Sequence, residues 1–159
     1  MFSICYILNT TPKSTGLLID YGEDHAFTDS FRAIKDQKIY KNEDILKYTG
    51  EADLTSYVNF KAIKNVVYKF NSLKVGGILT QHDFLGAMGA MQLYNGYMLQ
   101  AKENEKQILM QQFDRIFSMN QMGLTYKFLY IHKSKSNPVY PFVPEIFNLI
   151  EENQKSVNV

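Results

Sequence analysis

The run Gly16-Leu17-Leu18-Ile19-Asp20, followed by Tyr21 and Gly22, is the feature that most restricts how this chain can fold. A continuous apolar stretch of this kind, bounded by Thr15-Gly16 and Gly22, reads as a strand covered on both faces rather than as one alternating between core and water. Such a strand needs layers on either side, which points to an α/β architecture. It ends in an acid, an aromatic and a glycine, where open α/β sheets place their ligands. No glycine-rich phosphate or nucleoside loop precedes it, although a nucleotide-binding α/β unit carries one after its first strand. The chain therefore offers a ligand-facing strand end without the loop that would hold a nucleotide.

With 159 residues and 45% hydrophobic content, the chain has the size and apolar material of one domain with a real core. Seventeen Lys and Arg stand against 16 Asp and Glu, and the lysines form no stripe. The net balance provides no electrostatic ground for a nucleic acid or an acidic membrane as partner. The single cysteine, Cys5, cannot form an intramolecular disulfide and has no activating neighbour in sequence, so it reads as an inert thiol near a frayed terminus. His25, His82 and His132 share no ligand spacing with it, which argues against a metal site. No apolar run reaches the ~20 residues of a membrane span. Met1 to Leu8 lacks a basic leader and a small-residue cleavage site, and reads as a short strand or truncated element.

From Glu23 to Gly50 periodicity is weak. The stretch reads as a long excursion across one end of the sheet, with a short strand near Lys38 to Tyr40. A helix is expected from Asn59, its cap, to Ser72, then a glycine-led strand from Val75 to Thr80, which together with the first strand forms a strand–helix–strand unit of a parallel sheet. Gln81 to Gly89 is a short helix, and Met91–Ala101 with Asn104–Phe117 form a helical pair. Met122 to Ile131 suits an outer strand. Ser134 to Pro144 is irregular, Glu145 to Glu152 is a last helix or docking tail, and Asn153 to Val159 is expected to fray.

Several residues invite chemistry, each beside a plainer role. Asp20-Tyr21-Gly22 could face a ligand or cap a turn amide. Gly50-Glu51-Ala52-Asp53-Leu54-Thr55 could bind a cationic group, or act as a helix-capping loop. Arg32 could position a carboxylate or join an ordinary ion pair. His82, between strand and helix, could be a general base, but without a tuning partner a structural role is favoured. The methionines read as core or interface filler, and Tyr94 and Tyr97 as exposed aromatics that a partner could use.

Taken in order, Gly16 to Gly22, Asp29-Ser30-Phe31-Arg32, Gly50 to Phe60, Thr80-Gln81-His82-Asp83-Phe84-Leu85 and Met122-Gly123 resemble the MidA-like family of S-adenosylmethionine-dependent methyltransferases. The mitochondrial members of that family dimethylate an arginine on a core subunit of complex I during its assembly. The resemblance implies the carboxyl-terminal half of a class I (Rossmann-like) methyltransferase sheet with a helical insertion before the last strand. Residues 1–15 would be a truncated leading segment, 16–145 the carboxyl-terminal part of the domain, and 146–159 a tail. It implies a substrate-facing wall made of Asp20, Tyr21, Gly22, Arg32, Glu51, Asp53, Thr55, Gln81 and Phe84, with no individual catalytic role assigned. It places the S-adenosylmethionine site upstream, so this chain alone is not expected to bind the cofactor. It further implies a protein substrate, a mitochondrial location, and a missing amino-terminal half or partner chain. The rival expectation is a non-catalytic truncated paralogue that binds a partner. The aspartate usual around Asn59 in the family is absent here.

Overall fold

A computed structural model describes residues 2–27 and 29–157. The chain opens with helix α1 (Phe2–Thr10) and strand β1 (Gly16–Glu23), then the short strands β2 (Arg32–Lys35), β3 (Lys38–Tyr40), β4 (Asp53–Thr55) and β5 (Val58–Asn59). Helix α2 (Phe60–Val67), strand β6 (Leu73–Thr80), helices α3 (Gln81–Ala87), α4 (Ala90–Gln100) and α5 (Glu103–Phe117), strand β7 (Tyr126–Lys133) and helix α6 (Pro144–Val157) follow. The main sheet runs in the order β5-β1-β7-β6, and β2, β3 and β4 form a separate three-stranded sheet. Strand β7 pairs antiparallel with both neighbours, so β1 and β6 run parallel with β7 inserted between them.

Because strand residues alternate between faces, β7 divides its side chains between two cores. Ile131 joins Cys5, Leu8, Val67 and Leu73 beneath α1 and α2. On the opposite face Phe128 and Tyr130 join Leu79 and Phe142, with Phe84, Ile146, Phe147 and Ile150 closing the cluster from α3 and α6. Strand β6 bulges between Gly76 and Leu79, where Gly77 has φ +97° and an added Cβ would lie 3.2 Å from the Phe128 carbonyl and the Phe142 ring. Only glycine accepts both that dihedral and that approach, and the bulge lets Phe142 seat on the sheet.

Several expectations hold. Asn59 caps α2, its side chain accepting from the Ala62 amide at 3.0 Å, although the helix ends at Val67 rather than Ser72. The short helix and the helical pair are present as α3, α4 and α5, with Tyr94 stacked on Phe113 at 4.2 Å across the pair. The mixed α/β methyltransferase-type sheet and the insertion before the last strand are also as expected.

Other expectations are corrected. Residues 2–10 form a helix, not a strand; an apolar run alone does not distinguish the two, and Cys5 and Leu8, one helical turn apart, are buried at 0% and 7% exposure. The terminus is therefore docked rather than frayed: Lys133 Nζ donates to the Asn9 carbonyl at 2.8 Å at the helix end, where such donors are needed. Strand β7 is internal, with Lys127 to His132 all buried, not an outer strand. Strand β1 is covered on one face only, since Leu17 and Ile19 are 48% and 50% exposed. The excursion after β1 builds the small second sheet, whose β2 and β4 carry no sequence signal beyond a few residues each. Helix α6 continues to Val157, overturning the expected fraying from Asn153 as far as the described residues go; Asn158 and Val159 lie outside them.

Candidate functional site

The carboxyl end of β1 and the second sheet meet around Arg32. The turn expected at Gly22 is not there: β1 runs through it to Glu23, and a Cβ at Gly22 would come 2.1 Å from the Val58 carbonyl, so glycine is what allows β5 to pair at this point, in the parallel register Gly22↔Val58. That pairing sets Tyr57 against Tyr21, edge to face with centroids 5.3 Å apart. Tyr126 packs on the same Tyr21 ring at 5.7 Å, and Phe27 on Tyr57 at 4.7 Å. Into this aromatic box β2 delivers Arg32, its guanidinium carbon 5.7 Å from the Tyr21 centroid and 5.6 Å from that of Tyr57. Both lie within the range of cation–π attraction.

Arg32 is held by rings and by nothing else described. Its Nε is buried without a hydrogen-bond partner, and no described residue forms an ion pair with it. Leaving such a donor unmet costs about 1–3 kcal/mol, so the arrangement is unusual for a purely structural arginine. Beside it lies a cavity of about 200 Å³ lined by Phe27, Asp29, Ser30, Phe31, Arg32, Lys41 and Tyr57. Neither Asp29 nor Lys41 pairs with a described residue across it.

The expected wall residues separate into groups. Tyr21, Arg32 and Thr55 come together, Thr55 lying opposite Arg32 in the β2–β4 register. Gly22 forms the floor beneath them. Asp20 lies within β1, opposite Lys127, and accepts from the Tyr21 amide at 2.8 Å with no turn to cap, and Asp53 is exposed at the head of β4. Glu51 sits elsewhere, paired with Lys35; that hydrogen bond holds its carboxyl below the usual value and raises the Lys35 ammonium above its own. Gln81 donates to the Ile116 carbonyl at 2.6 Å, and Phe84 stacks on Phe128 at 4.1 Å, so both serve the α3 packing. His82 contacts the Phe117 carbonyl through Nδ1 at 2.9 Å, the structural role. Burial pushes the Cys5 thiol up, away from reactivity. Tyr57, Tyr126, Phe27 and Lys41 were missed. Only their meeting across strands gives them meaning, and the clustering of aromatics around Arg32 is not visible along the chain.

No group of three or more described His, Cys, Asp or Glu residues could hold a metal ion, and no described helix is long and apolar enough to cross a membrane.

Comparison with known proteins agrees with this architecture. The profile of the family described as "Putative S-adenosyl-L-methionine-dependent methyltransferase" matches residues 4–79. The human mitochondrial protein arginine methyltransferase NDUFAF7 is 35% identical over 116 residues, covering 70% of this chain and 24% of its own length. The Drosophila melanogaster homologue is 30% identical over 113 residues, covering 71% of this chain and 25% of its own. A Burkholderia thailandensis protein solved bound to S-adenosyl-homocysteine superposes with a TM-score of 0.68 at 15% identity, over 86% of this chain and 36% of that one. The fold is that of a Rossmann-like methyltransferase, and the chain belongs to the MidA-like methyltransferase family. It spans about a quarter of the length of the curated relatives it matches.

Proposed function

We propose that this chain is the substrate-side part of a protein arginine methyltransferase that acts in mitochondria on a complex I core subunit, with S-adenosylmethionine held by residues outside it. The observation that carries the reading is the open side of β1. Strand β5 meets β1 only at Gly22 and Glu23, which leaves Gly16 to Tyr21 without a described neighbour on that edge, and Leu17 and Ile19 face solvent. An internal-type strand with one open edge calls for another strand, and the relatives contain ample further sequence to provide it. The wall would then consist of Tyr21, Arg32, Asp53 and Thr55, with Asp20 and Gly22 in the end of β1 beside them. Exposed Asp53 is the carboxylate free to meet a substrate guanidinium.

A direct test is complementation. The chain is co-purified with the amino-terminal region of the human relative, and methyl transfer from labelled S-adenosylmethionine to complex I subunits is measured. Transfer by the mixture and by neither part alone is expected; a tight but inactive complex would sink the enzymatic reading. In the same series the chain by itself should show no calorimetric saturation at micromolar S-adenosylmethionine. The second reading, a partner-binding paralogue without catalysis, is favoured by one further observation. The helical pair exposes Leu93, Tyr97 and Leu99 at 61%, 56% and 89%, an apolar surface suited to a protein.

A further inference from the structure

We propose that Arg32 is a receptor for a carboxylate, and that the carboxylate is an acidic side chain of the protein substrate. The inference rests on the substrate-side reading above and deepens it. An aromatic box of this kind would suit a cationic substrate group if it were empty. Here it is filled by the chain's own guanidinium, 5.7 and 5.6 Å from the two tyrosine rings. A substrate arginine is thereby kept out by like charge, and the box becomes a mount that holds a cation toward an anion.

Four observations define that anion. The guanidinium has no hydrogen-bonded or ionic partner among the described residues, and its Nε is buried and unpaired. Nε is shielded from solvent, so the terminal amino groups are the part that a ligand reaches, and their planar fork matches a carboxylate. The adjoining cavity is lined by the cations Arg32 and Lys41 and the anion Asp29, a net charge of two minus one, which balances a monoanion better than a doubly charged phosphate. Its volume, about 200 Å³, suits a side-chain terminus rather than a cofactor. Phe27 and Phe31, 38% and 48% exposed at its rim, supply apolar surface for the aliphatic stem and flanking peptide that a free inorganic anion lacks.

The chain contains two arginines, Arg32 and Arg115, so their Nε–H signals can be followed by nitrogen-edited NMR with Arg115 as internal control. The full chain is titrated at constant ionic strength with the capped tripeptide acetyl-Gly-Glu-Gly-amide, its Gln counterpart, sodium acetate and inorganic phosphate. A saturable shift of the Arg32 signal with the Glu peptide is expected, with at least tenfold weaker responses to the other three and none at Arg115. In R32K, which keeps the charge but loses the fork and the followed signal with it, the backbone amide signals of the cavity residues Ser30 and Tyr57 should no longer shift saturably with the Glu peptide, while the rest of the backbone spectrum is preserved. A non-saturating response, an equal response at Arg115, or tighter binding of acetate or phosphate would overturn the proposal. The unaltered chain decides this even if R32K does not fold. Because the titration reads this chain alone, its failure leaves the complementation assay standing, and failure of that assay leaves the titration standing.

Discussion

Strands β1 and β7 lie side by side, in register from Gly16↔Ile131 to Tyr21↔Tyr126, yet they occupy different environments. Strand β7 has a neighbour on each edge and helices over both faces, and its residues from Lys127 to His132 are buried. Strand β1 is equally apolar in its middle, but it has an open outer edge and leaves Leu17 and Ile19 half exposed. Leu18, between them, packs into the core beneath α1 and α2. The difference shows that an apolar run records what a strand can bury, whereas the surrounding layers determine what it does bury. It also shows why the chemistry collects at β1: its unfinished side is where a second sheet, an aromatic box and a charged cavity can gather.

The comparison is tested most strongly in the core. Ile131→Ala should cost about 2–5 kcal/mol in urea unfolding, the ordinary range for emptying a buried aliphatic site, whereas Ile19→Ala should cost under about 0.5 kcal/mol, as at other exposed positions. Equal losses would mean that β1 is covered in solution. Next in size is Gly22→Ala. A Cβ 2.1 Å from the Val58 carbonyl must displace β5, so a loss of about 1–3 kcal/mol is expected, together with a change in tyrosine near-ultraviolet dichroism as Tyr57 leaves Tyr21. Asn59→Ala removes the cap of α2 and should cost about 1 kcal/mol, read in the same unfolding experiment.

The smallest expected effect is electrostatic. The Glu51 carboxyl is held below its ordinary value by the Lys35 hydrogen bond, so its contribution to stability is present above pH 4.5 and is lost as pH falls through the depressed folded value. Lys35 is raised by the same bond, and its contribution persists below its ordinary pKa of 10.5 and is lost as pH rises beyond the folded value. Glu51→Gln should therefore flatten both limbs of the stability-against-pH curve slightly, because the pair is at the surface and screened by solvent. A large change would place Glu51 in a site that the β2–β4 sheet does not form.

Much of the architecture is legible along the chain. The apolar spacing that announces a helix from Asn59 to Ser72, the Asn59 cap and the glycine-led strand up to Thr80 are local signals, and each produces its element, although the helix stops at Val67. The carboxylates and Arg32 are also visible as candidates, because charged groups next to a strand end are rare enough to notice. Their roles are not legible. Glu51 and Asp53 are two positions apart in sequence, yet one is committed to Lys35 and the other has no ion-pair partner among the described residues, and only the pairing of β2 with β4 separates them. Gln81 and Phe84 lie beside the expected ligand end, but the packing of α3 against α5 and β7 draws them into structural contacts.

By itself, the sequence determined an α/β chain with a methyltransferase-type order of elements, a capped helix after the first strand and a helical pair before the last. Those features depend on hydrophobic period and on residues with local backbone preferences, which act over a few positions. The tertiary structure alone decided that β7 is internal, that residues 2–10 form a docked helix, and that β1 is covered on one side. It also decided that a guanidinium with no ion-pair partner among the described residues sits against Tyr21 and Tyr57 beside a cavity. These outcomes depend on contacts between residues far apart in the chain, where burial and pairing are won or lost against all other available partners, and no local pattern records that competition.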